Sequence, residues 1–150
     1  MQVHSPMRMT PTLLAAAAAL SLLTACGAGA AEQAALEAYD ACKASGMNRD
    51  LLRHDGNEVR IEITGEDARD VSRAGDAAEN LQRNQEWGDD DLAGVGTMFA
   101  ALSISNCMVE ETGYPGTSEQ LADGESWEGW SYAEESGAGS EVLLTYTATD

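Results

Sequence analysis

Basic side chains are scarce in this 150-residue sequence. It contains 8 Lys and Arg residues against 26 Asp and Glu residues, for a formal net charge of −18, and Lys43 is its single lysine. A surface this acidic repels nucleic-acid phosphates and anionic lipid headgroups, so the sequence predicts no nucleic-acid partner. The acids are scattered along the chain, which favours a role in solubility. Attraction of a cationic partner or loose binding of divalent cations is the alternative interpretation.

Histidine is scarce too, and several common catalytic motifs are missing. The sequence has 2 histidines and contains no Gly-x-Ser-x-Gly, phosphate-binding glycine loop or His-Glu-x-x-His segment. His54 stands beside Asp55-Gly56, a turn sequence, and we expect an exposed side chain without a catalytic role. The residues therefore favour a non-enzymatic protein, with no catalytic residue and no cofactor. A hydrolase that uses acidic side chains is the alternative.

Metal ligands in a usable pattern are also lacking. The run Asp89–Asp91 resembles the start of a calcium loop, but Ala93 and Ala100 stand where such a loop needs oxygen ligands. Carboxylates are stabilised at the N-terminus of a helix by the helix dipole. We therefore expect these aspartates to begin a helix, and we predict no metal site.

The apolar run over residues 13–23, LLAAAAALSLL, is too short for a membrane-spanning helix, which needs about 20 apolar residues. Its length is typical of the apolar region of an export signal. The segment that follows, Leu23-Thr24-Ala25-Cys26, resembles the lipobox of bacterial lipoproteins. The resemblance implies that Cys26 carries a diacylglyceryl group, that cleavage occurs before it, and that the protein is held on the extracytoplasmic face of the cell membrane by its lipid. An ordinary signal peptide cut within 25–31 is the alternative.

This resemblance divides the chain into three parts. Residues 1–25 are the expected lipoprotein signal peptide, and residues 26–31 are the lipidated cysteine with a short linker. Residues 32–150 form a single extracytoplasmic domain, in which 65–88 is either a weak helix or a mobile excursion. Without Arg8, the part after the signal has a net charge near −19.

Three cysteines occur in the sequence. With Cys26 lipidated, Cys42 and Cys107 form an even pair in an oxidising compartment, which predicts one disulfide. Two free thiols or a metal site are the alternatives. The spacing of apolar residues places Cys42 on one predicted helix, over 32–45, and Cys107 on another, near residues 91–112.

The two helices have different apolar patterns. In the first, Ala35, Ala38, Tyr39 and Cys42 share a face, and Gly46 is placed to end the helix at the C′ position. In the second, the predicted buried stripe consists of Leu92, Val95, Phe99, Leu102 and Val109. Small side chains on the first helix would allow the close approach that a disulfide requires.

Alternation predicts the strands. Residues 57–64, NEVRIEIT, alternate apolar and polar side chains, and Leu51-Leu52 marks a possible partner strand across Asp55-Gly56. Residues 127–134 and 141–148 read as two further strands joined by a Gly/Ser-rich turn. We therefore predict an α+β fold, in which two main helices pack on one face of a small antiparallel sheet of three or four strands.

The aromatic residues Trp127, Trp130, Tyr132 and Tyr146 have two interpretations. On a strand face they could form a platform that binds a sugar or a peptide. With one Phe in the chain, they could instead supply the large apolar bodies of the core.

The last 45 or so residues, with Asn106-Cys107, Gly113-Tyr114-Pro115 and Trp130-Ser131-Tyr132, are similar to small lipoproteins of high-GC Gram-positive bacteria. The run Ala133-Glu134-Glu135 departs from the pattern of that group, and the similarity implies no particular activity. The sequence as a whole predicts a binding or accessory module at the cell envelope, whose partner is an envelope protein or a cationic molecule. An envelope hydrolase is the alternative.

Overall fold

The computed structural model describes residues 29–81 and 88–150 and has an α+β fold. The predicted signal peptide, Cys26 and residues 82–87 lie outside the described residues. In these described residues, three α-helices accompany one five-stranded antiparallel sheet of strand order β1-β2-β5-β4-β3. In chain order the elements are α1 (Ala30–Cys42), β1 (Leu52–Asp55), β2 (Glu58–Ile63), α2 (Gly65–Leu81), α3 (Asp89–Glu111), β3 (Ser126–Trp127), β4 (Trp130–Ser136) and β5 (Val142–Ala148).

Helix α1 packs through the face that the sequence predicts. Ala35, Ala38 and Cys42 are buried, and Tyr39 lies half-buried beside them. The helix begins at Ala30, so the first residues of the domain lie inside the stretch that we expected to be a linker.

Gly46 does not have the predicted C′ role. Helix α1 continues into a 3-10 turn over Lys43–Gly46, and the left-handed conformation is taken by Met47, with φ of 52°. Gly46 instead packs closely against α3, since a Cβ there would lie 3.2 Å from Cδ1 of Ile104.

The predicted disulfide is confirmed. Cys42 at the end of α1 is bonded to Cys107 on α3, with a Cα–Cα distance of 5.6 Å. The bond links the two helices that cover the inner face of the sheet. This pairing also removes both thiols as candidate metal ligands.

The strand pattern of residues 57–64 is confirmed in β2. Val59, Ile61 and Ile63 are buried toward the helices, while Glu58, Arg60 and Glu62 face solvent. Strand β1 pairs with β2 across a two-residue turn in which Gly56 has φ of 58°. A left-handed glycine at the first turn position is characteristic of the type II′ hairpin turn, whose twist matches that of the strands.

The second half of the sheet contains one strand more than the sequence predicts. Trp127 pairs with Trp130 across Glu128-Gly129, so the single strand expected over 127–134 is a short hairpin, β3–β4. Gly129 has φ of 78°, a conformation that glycine adopts without steric cost. Strand β5 lies between β2 and β4, and it therefore joins the two hairpins into one sheet.

The segment after β2 is a helix, which is one of its two predicted alternatives. Helix α2 spans Gly65–Leu81 and packs along α3 rather than on the sheet. The two helices meet at Gly94, where an added Cβ would overlap the Asp70 carbonyl group and lie 2.8 Å from the Cβ of Ala74. The absent side chain at Gly94 thus permits main-chain contact between α2 and α3.

Polar contacts also hold this corner together. The half-buried Arg49 guanidinium donates to the Ala93 carbonyl at 3.0 Å and lies 3.5 Å from Oδ1 of Asp67. The buried Thr97 hydroxyl donates to Oδ1 of Asp67 at 3.4 Å. These hydrogen bonds link the loop after α1 to both α2 and α3.

The predicted buried stripe of α3 is wrong at three of its five residues, while Val109 is buried and Val95 is half-buried. Leu92, Phe99 and Leu102 are exposed, and the helix instead buries a neighbouring face. The buried residues of that face include Thr97, Ala100, Ala101, Ile104, Ser105 and Met108. The cause is that α3 is apolar on more than one side, so periodicity alone does not select the face that meets the sheet.

Helix α3 is also long and apolar enough to cross a membrane by those two criteria. Its segment Asp91–Glu111 has a mean hydropathy of 1.6 over an 18-residue window, and 44% of that window is buried inside the fold. Because Cys107 is bonded to Cys42 and Ile104 lies in the core, this helix acts here as the core helix of the domain.

Candidate functional site

An open apolar groove runs between α2 and α3. Its volume is about 470 Å³, and its lining consists of Ala74, Gly75, Ala78, Val95, Met98, Phe99 and Leu102. The α2 wall contributes small residues and the α3 wall contributes large ones. An added Cβ at Gly75 would meet no atom within 4 Å, so this wall leaves room for an approaching backbone.

The large side chains of the groove are exposed to an unusual degree. Phe99 is 59% exposed, Met98 52% and Leu102 42%, and Leu92 one turn before the groove is 56% exposed. Single exposed apolar residues are normal, whereas a contiguous set on one helix is typical of an interaction surface. We call this surface, with its α2 wall, the apolar groove.

A second depression lies on the other side of Leu102. This cleft, of about 330 Å³, is formed by α3, the inner ends of β4 and β5, and the 3-10 turn Ser118–Gln120. Its lining contains both apolar and polar side chains, among them Leu121, Leu144, Ser105, Glu119 and Glu134. We call it the acidic cleft. Leu102 lines both depressions, so the two adjoin at this side chain.

Neither depression has a basic side chain among the described residues of its lining. No Lys or Arg occurs in the 23 residues of α3, and none of the described cations lines the apolar groove or the acidic cleft. Neither Glu119 nor Glu134 forms an ion pair within the described ranges. The cleft therefore presents two carboxylates whose charge no described side chain of this protein neutralises.

Two tyrosines form the back of the acidic cleft. Tyr132 and Tyr146 are paired across β4 and β5, with ring centroids 5.1 Å apart in an edge-to-face arrangement. Burial raises the pKa of Tyr146 to about 12, and a hydrogen bond with Ser105 acts in the opposite direction. Burial, with the nearby charge of Glu134, also raises the pKa of Tyr132. Both phenols are therefore neutral at physiological pH.

The four aromatic residues singled out from the sequence do not form an exposed platform. Trp130, Tyr132 and Tyr146 are 8%, 6% and 1% exposed, which favours the core interpretation. Trp127 is half-buried and donates its indole N–H to the Thr112 carbonyl at 2.9 Å, with Tyr114 packed edge-on against its ring. Of the four, Tyr132 and Tyr146 line the acidic cleft.

His54 is not in the turn, and it is less exposed than we expected. It lies on β1 opposite Val59, and its ring is 5.7 Å from that of Tyr39. Its Nε2 atom is buried and has no hydrogen-bond partner. No nucleophile or carboxylate among the described residues hydrogen-bonds to this histidine, and a catalytic role gains no support.

The aspartates at 89–91 lie at the N-terminus of α3, where the sequence places them. Oδ2 of Asp91 accepts a hydrogen bond from the Gly88 N–H at 2.8 Å, which satisfies one of the free donors of the first turn. Within residues 29–81 and 88–150, no three His, Cys, Asp or Glu side chains are grouped closely enough to hold a metal ion.

The signal for the groove in the sequence is the apolar repeat that predicts a buried stripe on α3. Leu92, Val95, Phe99 and Leu102 repeat at helical spacing, but α3 also has Ala100, Ile104 and Met108 on its adjacent side. When a helix has more apolar surface than one packed face can bury, the remaining apolar surface indicates a second partner in addition to the core.

Comparisons with models of known protein families, with curated proteins and with solved structures found no match for this chain.

Proposed function

We propose that this chain is a lipid-anchored, extracytoplasmic binding module that docks a partner at the cell envelope through the apolar groove. One observation carries the binding role: Met98, Phe99 and Leu102 form a contiguous exposed apolar wall on a helix whose opposite side is already packed. Such a wall is costly in a free-standing domain, because it exposes apolar area to water. A partner that covers it removes that cost.

Two features support the proposed location. The sequence Leu23-Thr24-Ala25-Cys26 has the lipobox pattern, and two acyl chains on Cys26 would suffice for stable anchoring. The Cys42–Cys107 disulfide is the kind of bond that forms and persists in oxidising compartments. The high negative charge would keep the domain away from anionic headgroups, so that the lipid does the anchoring.

The anchor is tested by metabolic labelling of the full chain in a bacterial host with a fatty-acid analogue, followed by membrane fractionation. We expect label on the protein and recovery with the membranes, and loss of both in Cys26→Ala. An unlabelled protein whose mature N-terminus lies beyond Cys26 would contradict the proposed anchor.

The groove is tested separately, with a synthetic amphipathic helix that has leucines on one face and an uncharged polar face. Nuclear magnetic resonance of the labelled protein should show shifts concentrated on α2 and on Val95–Leu102 of α3. The variant Phe99→Ser should weaken binding, while Leu36→Ser, which removes an exposed apolar side chain from α1, should not. Shifts spread evenly over the surface would contradict the groove as a docking site.

A further inference from the structure

The apolar groove and the acidic cleft are parts of one continuous surface. Val95, Phe99, Leu102 and Ser105 follow one another on α3 at spacings of four, three and three residues, with Met98 beside Phe99, and Leu102 and Ser105 line the cleft. At 1.5 Å per residue, this row is about 15 Å long. A partner that fills the groove and passes Leu102 therefore reaches the carboxylates of the cleft.

From this continuity we infer that the partner is a basic amphipathic helix, which lays apolar side chains in the groove and places a Lys or Arg over Glu119 and Glu134. This inference rests on the proposed function of the groove and adds the chemistry of its occupant.

The dimensions favour a helix. A row of about 15 Å matches roughly three turns of a partner helix, with apolar anchors at positions i, i+3 or i+4, and i+7. The α2 wall is made of Ala74, Gly75 and Ala78, whose small side chains let another helix approach closely. The occupant would become the third member of a helical layer with α2 and α3.

Charge selects among possible occupants. A second copy of this chain would bring together two bodies that each have 7 basic and 26 acidic residues after the lipobox, a net charge of −19. Anionic lipid headgroups would meet the same repulsion. A basic helix is instead attracted to the surface, and its cation meets Glu119 and Glu134, which lack an ion-pair partner within the described part of the chain.

The hydrogen bonds within the cleft also leave it suited to a cationic side chain. The Tyr132 hydroxyl donates to Oε2 of Glu134 at 3.4 Å, and the main-chain N–H of Glu134 donates to Oδ1 of Asp123 at 2.8 Å. These contacts fix the strand that carries Glu134 and leave carboxylate oxygens to accept from an ammonium or guanidinium group. The neutral phenols add no positive charge that would oppose it.

Three peptides of equal length and equal leucine face test the inference by isothermal titration of the purified protein with its disulfide intact. One peptide carries a Lys pair beyond one end of the leucine face, the second carries Glu there and the third Gln. At low ionic strength the Lys peptide should bind about three- to tenfold more tightly than the Gln peptide, and the Glu peptide should bind more weakly than both. High salt should reduce these differences.

Variants of the protein locate the effect. Glu119→Gln with Glu134→Gln should remove the preference for the Lys peptide and leave the affinity for the Gln peptide unchanged. The matched control, Glu37→Gln with Glu128→Gln, makes the same change in net charge at exposed sites on α1 and in the β3–β4 turn and should retain the preference. Leu102→Ser should weaken binding of all three peptides.

The possible outcomes separate the two proposals. Equal binding of the three peptides, weakened by Leu102→Ser, would overturn the basic partner and support the groove. No binding of any peptide would overturn both. Concentration-dependent dimerisation in analytical ultracentrifugation that Phe99→Ser abolishes would identify a second copy as the occupant and overturn the basic helix.

Discussion

Gly94 of α3 lies directly against the main chain of Asp70 in α2, so that the two helices touch without an intervening side chain. The contact brings Ala74 within reach of Gly94 and determines how α2 is positioned along α3. Since α2 forms one wall of the apolar groove, the width of the groove depends on this contact.

Gly94→Ala should separate the two helices. The added methyl group overlaps the Asp70 carbonyl, and overpacking of this kind costs about 1–3 kcal/mol of the free energy of unfolding. Gly75→Ala is the matched control, because its Cβ would meet no atom within 4 Å and alanine is the better helix former by about 0.5–1 kcal/mol. Denaturant unfolding should therefore show opposite signs for the two variants. A Gly94→Ala protein as stable as the parent would contradict the close contact.

Removing the disulfide should destabilise the domain without changing its fold. Replacement of Cys42 and Cys107 by alanine should lower the free energy of unfolding by about 2–5 kcal/mol, since the bond closes a loop between residues 65 positions apart. Addition of reductant to the parent should lower the denaturation midpoint in the same direction. Cys26→Ala, which leaves this bond intact, is the control and should unfold at the parent midpoint.

Substitutions on two sides of α3 should differ in their effects on stability. Ile104→Ala removes a fully buried side chain that contacts the core, and we expect a loss of about 2–5 kcal/mol. Phe99→Ala removes a larger side chain that is 59% exposed, and we expect a change within about 1 kcal/mol. Thermal unfolding followed by circular dichroism distinguishes them. A larger loss of stability in Phe99→Ala than in Ile104→Ala would instead support the stripe that the sequence predicts as core.

Stability should fall at high pH because of Tyr146. Burial raises the pKa of this phenol to about 12, above its usual value near 10. A raised folded-state pKa means that the contribution is fully present below pH 10 and is lost as the pH rises toward 12, to a total of about 1–3 kcal/mol. Denaturant unfolding across this range measures the loss. In Tyr146→Phe this part of the pH dependence should be absent, whereas Tyr39→Phe, outside the cleft, should retain it.

The elements that could be predicted from the sequence are those with one dominant pattern. Strand β2 alternates strictly, so its buried face followed directly, and Cys42 with Cys107 had no competing partner once Cys26 was assigned to the lipid. The face of α1 was clear because Ala35, Ala38 and Cys42 are its small residues on one side.

The buried face of helix α3 could not be predicted from the spacing of its apolar residues. Its apolar residues cover two adjacent faces, and helical spacing fits both of them. The face next to α1 and the sheet buries Ala100, Ala101 and Ile104, while Phe99 and Leu102 on the adjacent face remain exposed. The strand β3 was missed for a different reason, because two residues are too short for any periodic signal.

Strand β5 also gives the molecule a particular order of assembly. It links the β1–β2 hairpin to the β3–β4 hairpin. Its partner β2 is separated from it in the chain by α2, α3 and the β3–β4 hairpin. Until residues 142–148 have left the ribosome, neither hairpin can join the other. Distant pairing of this kind slows folding, so the two hairpins should remain separate until β5 pairs with β2.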